Sequence, residues 1–461
     1  MTYPSLRVAA CLIALLSLPS LSVYAAQTAE KGDGWMSLLD GKSLKGWQQV
    51  NGSASYVIVN GAIVGTTRAE SPNSFLATER TYSDFILEFD VKQDGGPANS
   101  GVQVRSAARP DYNEGRVFGY QADIDPSDRS WSGGVYDEQR RGWLYPVSLN
   151  PAAHALYKMG EWNHFRIEAI GPSVRTWING SPVAHVIDEL YDEGFIALQI
   201  HSISSAEEAG RRTSWRNIRI RETDIGSPPV ETIFVRNTIP NDLSQVEKAQ
   251  GWQLLWDGKT TDGWRGAYRS SFPRQGWKIE NGELILQRGG AGGHIVTDDL
   301  YSAFELQLEF KLTPGANSGV MYFVSDRFEQ SNNTAVGLEY QLLDDSSDPD
   351  SKKGIVTSNM LASLLGLIPR SQLMTNVGIA PQLGEWQHAR IVVHLDNRVE
   401  HWLNGIKVLE YVRGSPDFRR RIAESPAFKA FRSFGEDGRG RILLQDHGEE
   451  VRFRSIKIRA M

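Results

Sequence analysis

The sequence contains the same series of short motifs twice, in the same order. The two copies begin near Asp40 and Asp257 and end near His201 and His447. The repeated segments are Gly34-Trp35 and Gly251-Trp252, Asn99-Ser100-Gly101-Val102 and Asn317-Ser318-Gly319-Val320, Gly160-Glu161-Trp162 and Gly384-Glu385-Trp386, and Leu198-Gln199-Ile200-His201 and Leu444-Gln445-Asp446-His447. Solenoid repeats are only about 20–50 residues long. The repetition therefore predicts two complete domains in tandem.

The first 25 residues have the pattern of a signal peptide. Arg7 precedes an apolar run from Val8 to Leu21, and small residues near Ala25 offer a cleavage site. The run is too short to cross a bilayer, which needs about 20 residues, and no later segment qualifies. Cys11, the only cysteine, lies inside this run. We therefore expect a secreted or periplasmic protein without a membrane span, a disulfide or a cysteine metal site.

The charge distribution disfavours a nucleic-acid partner. The 49 basic and 55 acidic residues give a net charge of −6, with both signs interspersed and no basic stripe. The 13 Trp and 15 Tyr residues have two interpretations. Amphipathic aromatic side chains can bind sugars, but they also fill the cores of β-sandwiches, and the second interpretation is favoured for most of them.

Short alternating runs predict an all-β fold. Phe85-Ile86-Leu87-Glu88-Phe89 and Phe304-Glu305-Leu306-Gln307-Leu308 have the period of a half-buried strand. Hairpin turns of the type that needs positive φ are predicted at Asn60-Gly61, Asn179-Gly180, Asn281-Gly282 and Asn404-Gly405. Each copy is predicted to be a two-sheet sandwich or jelly roll, over residues 33–224 and 249–461, joined by a linker at 225–248. Short helices are expected only at 359–367 and 416–432.

Four strands of the first copy are predicted to carry polar groups on one face and apolar groups on the other. Because side chains alternate along a strand, residues two apart share a face. The polar candidates are Gln103, Arg105, Gln121, Asp123, Asp125, Tyr136, Glu138, Arg140, Gln199 and His201. If these faces line one side of one sheet, they form a polar cleft that contains an acid, a base and a cation.

These motifs resemble the 3-keto-disaccharide hydrolase family, formerly a domain of unknown function. In the first copy the resemblance rests on Leu39-Asp40-Gly41-Lys42-Ser43-Leu44, Gly119-Tyr120-Gln121-Ala122-Asp123-Ile124, Val135-Tyr136-Asp137-Glu138 and Gly160-Glu161-Trp162-Asn163. In the second it rests on Asn317-Ser318-Gly319, Gly337-Leu338-Glu339-Tyr340-Gln341, Trp402-Leu403-Asn404-Gly405 and Leu444-Gln445-Asp446-His447-Gly448. The resemblance implies two tandem concanavalin A-like jelly rolls. It also implies cleavage, outside the cytoplasm, of glycosides already oxidised at C3 by a separate sugar 3-oxidoreductase.

The implied chemistry assigns roles to five residues of the first copy. A ketone at C3 acidifies the proton on C2, so a base can remove it and the C1 substituent can leave by elimination. His201 or Asp123 is the candidate base, and Tyr136 or Glu138 the candidate acid for the leaving group. The enolate is expected to be stabilised by Arg105, or by a divalent ion that Asp123, Glu138 and His201 hold. Hydrolysis and elimination both remain open.

The remaining candidates are assigned to substrate binding. They are Gln103, Gln121, Gln199 and Arg140 in the first copy, and Glu339, Gln341, Asp344, Gln445 and His447 in the second. The second copy has Phe323 where the first has Arg105, and Leu365-Gly366 where the family usually has Tyr-Asp. The first copy is therefore predicted to be the catalytic one. The alternative is a non-catalytic, lectin-like pair of carbohydrate-binding modules, since jelly rolls host both functions.

Overall fold

The computed structural model describes residues 34–226, 232–325, 336–373, 381–431 and 433–461. The predicted signal peptide and Cys11 lie outside the described residues, so both remain predictions. No helix within these described ranges is long and apolar enough to cross a membrane.

The first half of the chain forms two sheets packed face to face. The front sheet has seven strands in the order β10-β9-β8-β7-β14-β5-β2, and the back sheet has nine, in the order β16-β13-β12-β11-β6-β15-β4-β3 with β1 beside β15. The strands are β1 (Trp35–Ser37), β2 (Trp47–Val50), β3 (Ser55–Val59), β4 (Ala62–Thr66), β5 (Ser74–Tyr82), β6 (Phe85–Asp94), β7 (Ser100–Ala108), β8 (Val117–Ile124), β9 (Val135–Glu138), β10 (Gly142–Tyr145), β11 (Asn163–Ile170), β12 (Ser173–Ile178), β13 (Ser181–Ile187), β14 (Gly194–Ile200), β15 (Arg212–Arg221) and β16 (Arg236–Asn237).

The second half repeats this arrangement. Its back sheet has eight strands, in the order β19-β20-β29-β22-β25-β26-β27 with β17 beside β29, and its front sheet has five, in the order β18-β21-β28-β23-β24. The elements are α1 (Gln245–Ala249), β17 (Gln253–Leu254), β18 (Trp264–Gly266), β19 (Trp277–Glu280), β20 (Glu283–Leu286), β21 (Ile295–Thr297), β22 (Phe304–Leu312), β23 (Asn317–Val324), β24 (Leu338–Leu343), β25 (Gln387–Val393), β26 (Arg398–Leu403), β27 (Ile406–Val412), α2 (Pro416–Glu424), β28 (Arg441–Leu444) and β29 (Val451–Ala460).

The strand alternation seen in the sequence builds both cores. In β6, Phe85, Leu87 and Phe89 are buried in the first core, and Phe304, Leu306 and Leu308 of β22 fill the second in the same way. All four predicted Asn-Gly turns have both residues at positive φ, between 48° and 82°. The predicted fold class is confirmed, because the protein is all-β, with 44% strand and 8% helix, in two tandem jelly-roll sandwiches.

The two helix predictions had different outcomes. Helix α2 begins inside 416–432, where the Ser415 hydroxyl accepts a hydrogen bond from the backbone N–H of Phe418 at 3.2 Å and caps its first turn. The prediction of a helix at 359–367 was wrong. Residues there extend the front sheet instead, because Leu364 bridges Tyr340 and the backbone N–H of Ala362 donates to the carbonyl of Gln341 at 2.8 Å.

The two sandwiches contact each other. Strand β16, within the predicted linker, adds a parallel strand to β13 of the first sandwich. The Arg236 side chain, on that strand, pairs with Glu309 of the second sandwich at 2.9 Å. The Ser148 hydroxyl donates to the carbonyl of Gly405 at 2.7 Å.

Candidate active site

In the front sheet of the first sandwich, the inner face is apolar and packs in the core, whereas the outer face is polar. Val102 and Val104 of β7 and Leu198 of β14 pack in the core. Alternation therefore places Gln103, Gln121, Asp123 and Gln199 on the opposite face. Their side chains are nonetheless almost completely buried, between 0% and 2% exposed.

A cavity of about 320 Å³ on this face brings together most of the predicted catalytic residues. Its volume lies within the range typical of small-molecule sites. Asp123, Tyr136, Glu138 and His201 all line it. The complete lining is Asn73, Asn99, Gln121, Asp123, Arg129, Tyr136, Glu138, Gln139, Trp143 and His201. Carboxyl groups, a phenol and an imidazole therefore line one open cavity.

A chain of amides orients the Asp123 carboxyl group. The Ser106 hydroxyl donates to Gln103 Oε1 at 2.8 Å, Gln103 Nε2 donates to Gln121 Oε1 at 2.7 Å, and Gln121 Nε2 donates to Asp123 Oδ1 at 3.0 Å. Asp123 Oδ2 is buried and has no hydrogen-bond partner among the described residues. Neither amide atom of Gln199 has one there either. Buried polar atoms are costly to leave unpaired, so Asp123 Oδ2 is a candidate contact for a ligand in the cavity. Gln103 and Gln199 do not line the cavity.

The glycine of the Asn-Ser-Gly motif leaves space for the polar side chain of the neighbouring strand. A Cβ atom at Gly101 would lie 2.4 Å from the Gln121 side chain, and one at Gly319 would lie 1.9 Å from the Glu339 side chain. Any larger residue at either position would force the polar side chain of the neighbouring strand to move.

Burial makes the carboxyl groups of the cavity weak acids. It raises the pKa of Asp123 well above the usual value, and the negative charge of Asp125 adds to the effect. Burial also raises the pKa of Glu138 and, chiefly for the same reason, that of Tyr136 to about 12. These groups hold their protons to higher pH than exposed ones, so they are suited to donate hydrogen bonds or protons to a substrate.

His201 is held in one tautomer. Its Nδ1 lies 2.6 Å from the carbonyl oxygen of Ser202, which can only accept a hydrogen bond. The backbone N–H of Ser202 donates in turn to Asn73 Oδ1 at 2.9 Å. The neutral imidazole therefore carries its proton on Nδ1 and keeps the lone pair on Nε2, as a general base requires.

Arg129 is the cation of the cavity, and the sequence analysis missed it. Its Nη2 pairs with Asp125 Oδ2 at 2.5 Å, and its guanidinium lies over the rings of Trp131 and Trp143, 4.6 and 5.3 Å from their centroids. Arg129 and Asn73 both lie in loops, where strand alternation carries no information. The only signal was the spacing of Asp125 and Arg129, directly after the strand that carries Asp123.

The predicted position of Arg105 was wrong. The register of β7 shifts between Val104 and Ala107, and Arg105 has a φ of 48°, so a β-bulge interrupts the alternation. The buried guanidinium donates to the carbonyls of Ser83 and Gly171, both at 2.7 Å, and pairs with Asp84 at 2.8 Å. Arg105 therefore stabilises the sheet and does not line the cavity.

Arg140 is also absent from this cavity. Its guanidinium donates to the hydroxyls of Tyr112 at 3.0 Å and Tyr191 at 3.3 Å. It lines a different cavity of about 380 Å³, between the sandwiches. Arg140 follows β9, and the turn there points its side chain away from Glu138.

The predicted metal ligands do not form a metal centre. Asp123, Glu138 and His201 line the same cavity. Nowhere in the described part of the chain, however, are three or more His, Cys, Asp or Glu side chains grouped so that they could hold a metal ion.

The second front sheet has lost most of these ionisable groups. Backbone pairing shows which positions correspond, since Gly101 pairs with Asp123 and Gly319 pairs with Gln341. By the same pairing, Met321 replaces Gln103, Glu339 replaces Gln121 and Leu365 replaces Tyr136. The chain then turns, and Leu367 packs in the second core, so Glu138 has no counterpart on this face. The Arg105–Phe323 difference, by contrast, lies at a bulge in both copies, because Phe323 has a φ of 53°.

The remaining candidates of the second sandwich do not rebuild the first site. Burial raises the pKa of Glu339 to about 8, and the amide of Gln341 lies 3.1 Å from that of Asn317. His447 is half exposed and its Nδ1 lies 3.1 Å from Glu449. Asp344 is not on this face, because its carboxylate accepts from the backbone N–H groups of Gly315 and Ser346 in a turn. The Gln445 backbone N–H donates to the carbonyl oxygen of Gly319 at 3.0 Å, which places Gln445 opposite the glycine of the repeated Asn-Ser-Gly motif.

The chain is similar to known proteins over both sandwiches. Residues 34–221 and 251–459 each match the model of the 3-keto-alpha-glucoside-1,2-lyase-like domain. A 3-keto-disaccharide hydrolase from Bacteroides thetaiotaomicron is 31% identical over 237 residues, which cover 46% of this chain and 79% of the relative. A Parabacteroides distasonis structure, provisionally assigned as a glycosyl hydrolase, is 28% identical, with a TM-score of 0.42, and the match covers 48% of this chain and all of that one. The protein therefore belongs to the 3-keto-alpha-glucoside-1,2-lyase-like family, with two copies of the domain.

Proposed function

We propose that this protein cleaves disaccharides or other glycosides that carry a ketone at C3, and that the first sandwich performs the reaction. The observation that carries the proposal is the cavity shared by Asp123, Tyr136, Glu138 and His201. Membership of the family and the 31% identity to a 3-keto-disaccharide hydrolase support it. A site that only bound sugars would have no need of buried, weakly acidic carboxyl groups beside an imidazole.

The first step is removal of the C2 proton. The ketone acidifies this proton, and Nε2 of His201 accepts it, because hydrogen bonding to Ser202 keeps the imidazole proton on Nδ1. The electron pair of the C2–H bond moves into the C2–C3 bond, and negative charge develops on the C3 oxygen. The protonated carboxyl group of Asp123 donates a hydrogen bond to that oxygen, and the Arg129 charge adds electrostatic stabilisation.

The second step is departure of the group on C1. The enolate re-forms the ketone, a C1–C2 double bond forms, and the C1–O bond breaks with its electron pair going to the leaving oxygen. Glu138, which burial keeps protonated to higher pH, supplies the proton that this oxygen takes up. Tyr136 lies in the same cavity as a second hydrogen-bond donor. Addition of water across the double bond then gives net hydrolysis.

Substrate supply and location are part of the proposal. An oxidoreductase must first oxidise the C3 hydroxyl, because an ordinary glycoside has no acidified C2 proton. The signal-peptide pattern over residues 1–25 supports export, so the reaction would take place in the periplasm or outside the cell.

One experiment tests the function directly. Purified protein is incubated with a 3-keto-disaccharide and, in parallel, with the same disaccharide unoxidised. We expect release of the 3-keto sugar, or of an unsaturated intermediate with enone absorbance, from the oxidised substrate alone. Binding of both substrates without any cleavage would instead support the lectin-like alternative. The loss of ionisable groups from the second sandwich favours that alternative for the second domain only.

A further inference from the structure

A second, larger cavity lies beside the candidate active site. The active-site cavity of about 320 Å³ is called here the inner compartment, and the neighbouring one, of about 640 Å³, the outer compartment. Asn99, Arg129 and His201 line both. The two compartments therefore adjoin, and the candidate base lies at the junction.

The outer compartment has the composition of a binding site without proton-transfer groups of its own. Its carboxylates are paired with arginines of the same compartment, since Asp125 pairs with Arg129 and Glu208 pairs with Arg211 at 2.9 Å. Its surface mixes apolar groups, such as Pro126 and Ile203, with exposed hydroxyls such as that of Ser127. A pyranose ring has the same mixture, with C–H groups on its faces and hydroxyls around its edge.

Three chain segments hold the wall of this compartment in place. Arg211 Nη1 donates to the carbonyl of Pro97 at 2.6 Å. The Thr67 hydroxyl donates to the carbonyl of Glu208 at 2.6 Å. The loop after β14 is thus tied to the loops that follow β4 and β6, so the compartment is formed before any ligand binds.

We propose that the outer compartment binds the leaving sugar of a disaccharide, while the 3-keto ring occupies the inner compartment. This inference rests on the proposed function. It places the bond to be cleaved at the junction, where His201 and Arg129 lie, and the groups that donate protons, Asp123 and Glu138, on the side of the oxidised ring. The outer compartment then determines which aglycones are accepted.

The variant Ser127→Trp tests the proposal. Ser127 is exposed, and the hydrogen bond that its backbone N–H donates to Asp125 at 3.1 Å is retained in the variant. The indole should fill the outer compartment and leave the inner one unchanged. The matched control is Asp128→Trp, one residue along, at an exposed position that lines neither compartment.

Two substrates are compared, a 3-keto-disaccharide and a methyl 3-keto-glucoside, whose methoxy group is too small to reach the outer compartment. We expect Ser127→Trp to lower kcat/KM at least about tenfold for the disaccharide and to leave the methyl glycoside within about twofold. Asp128→Trp should change neither. Equal losses on both substrates, or no loss on either, overturn the proposal.

If the wild-type protein cleaves neither substrate, the proposed function is wrong, but the proposal that the outer compartment binds a sugar is still open to test. The subsite is then judged by calorimetry with an unoxidised disaccharide and with glucose. Ser127→Trp should weaken binding of the disaccharide at least about tenfold and leave glucose binding unchanged. Unchanged binding of the disaccharide would overturn the subsite.

Discussion

The Gln121 amide donates a hydrogen bond to Oδ1 of Asp123 at 3.0 Å, while Oδ2 of the same carboxyl group is buried with no partner among the described residues. One oxygen is thus used to orient the group and the other is left to contact a ligand. Burial raises the pKa of this carboxyl group, so it can hold the proton that it offers.

Replacing Asp123 by asparagine should therefore slow catalysis with little change of shape. The amide can still donate a hydrogen bond, but it is a much weaker acid than a carboxyl group and stabilises the negative charge on the C3 oxygen less well. We expect kcat/KM for a 3-keto-disaccharide to fall about 10²-fold or more. Gln341→Asn, at the corresponding position of the second sandwich, is the control and should leave the rate unchanged. Comparable rates for wild type and Asp123→Asn would remove Asp123 from the mechanism.

The same substitution should change how stability depends on pH. Because the pKa of Asp123 is raised in the folded protein, the folded state binds this proton more tightly than the unfolded state does. Its contribution to stability is present below the pKa of the unfolded group, about 4, and is lost as the pH rises through the folded pKa. Urea denaturation should show wild type losing free energy of unfolding, relative to Asp123→Asn, as the pH is raised above about 4. A difference that stays constant over this range would show that Asp123 titrates normally.

Glu138→Gln should make the rate depend on the leaving group. A sugar alcohol is a poor leaving group and needs a proton, whereas a nitrophenol leaves without one. We expect a loss of about 10²-fold or more with a 3-keto-disaccharide and a much smaller loss with a nitrophenyl 3-keto-glucoside. Glu339→Gln serves as the control for removing a buried carboxyl group from a front sheet. Equal losses on the two substrates would assign Glu138 a different role.

The two histidines at the ends of β14 and β28 should differ in importance. His201→Ala removes the proposed base and should lower the rate about 10²–10⁴-fold. His447→Ala should leave most of the activity, because His447 is half exposed beside Glu449 and the carboxyl groups of the first site are missing around it. Side-by-side kinetics of the purified variants decide between the domains. If His447→Ala is the inactive variant, catalysis belongs to the second sandwich.

Substitutions of Arg105 and Arg129 should affect different properties, the stability in the first case and the catalytic rate in the second. Arg105→Met leaves the carbonyls of Ser83 and Gly171 without their donor, so it should cost roughly 2 kcal/mol or more of stability. At a temperature where the variant is folded, its kcat/KM should stay within about twofold of wild type. Arg129→Met should instead lower kcat/KM by about tenfold or more, since it removes the only cation that lines the inner compartment within the described residues. A strong loss of activity in folded Arg105→Met would restore its predicted catalytic role.

Strand alternation predicts the direction of a side chain only where the strand is regular. Alternation correctly placed Gln121, Asp123 and Gln199 on one face, because β8 and β14 are regular where these residues lie. It failed at Arg105, since a bulge adds a residue and reverses the alternation beyond it. Arg129 and Asn73 could not have been predicted this way, because loop conformations determine where their side chains lie. The duplication itself was informative about motifs, but it did not reveal that the carboxyl and amide positions are exchanged between Gln121-Asp123 and Glu339-Gln341.

Because of that exchange, the second sandwich can serve as a comparison for the first within the same molecule. The two front sheets share backbone pairing around Gly101 and Gly319, yet only one surrounds its cavity with Asp123, Tyr136 and Glu138. Gln341 and Leu365 can therefore be replaced one at a time by their counterparts Asp123 and Tyr136, in a second sandwich that belongs to the same chain as the first. If these replacements produced activity in a chain that carries His201→Ala, they would measure how few side chains are needed to convert the second site to the chemistry proposed for the first.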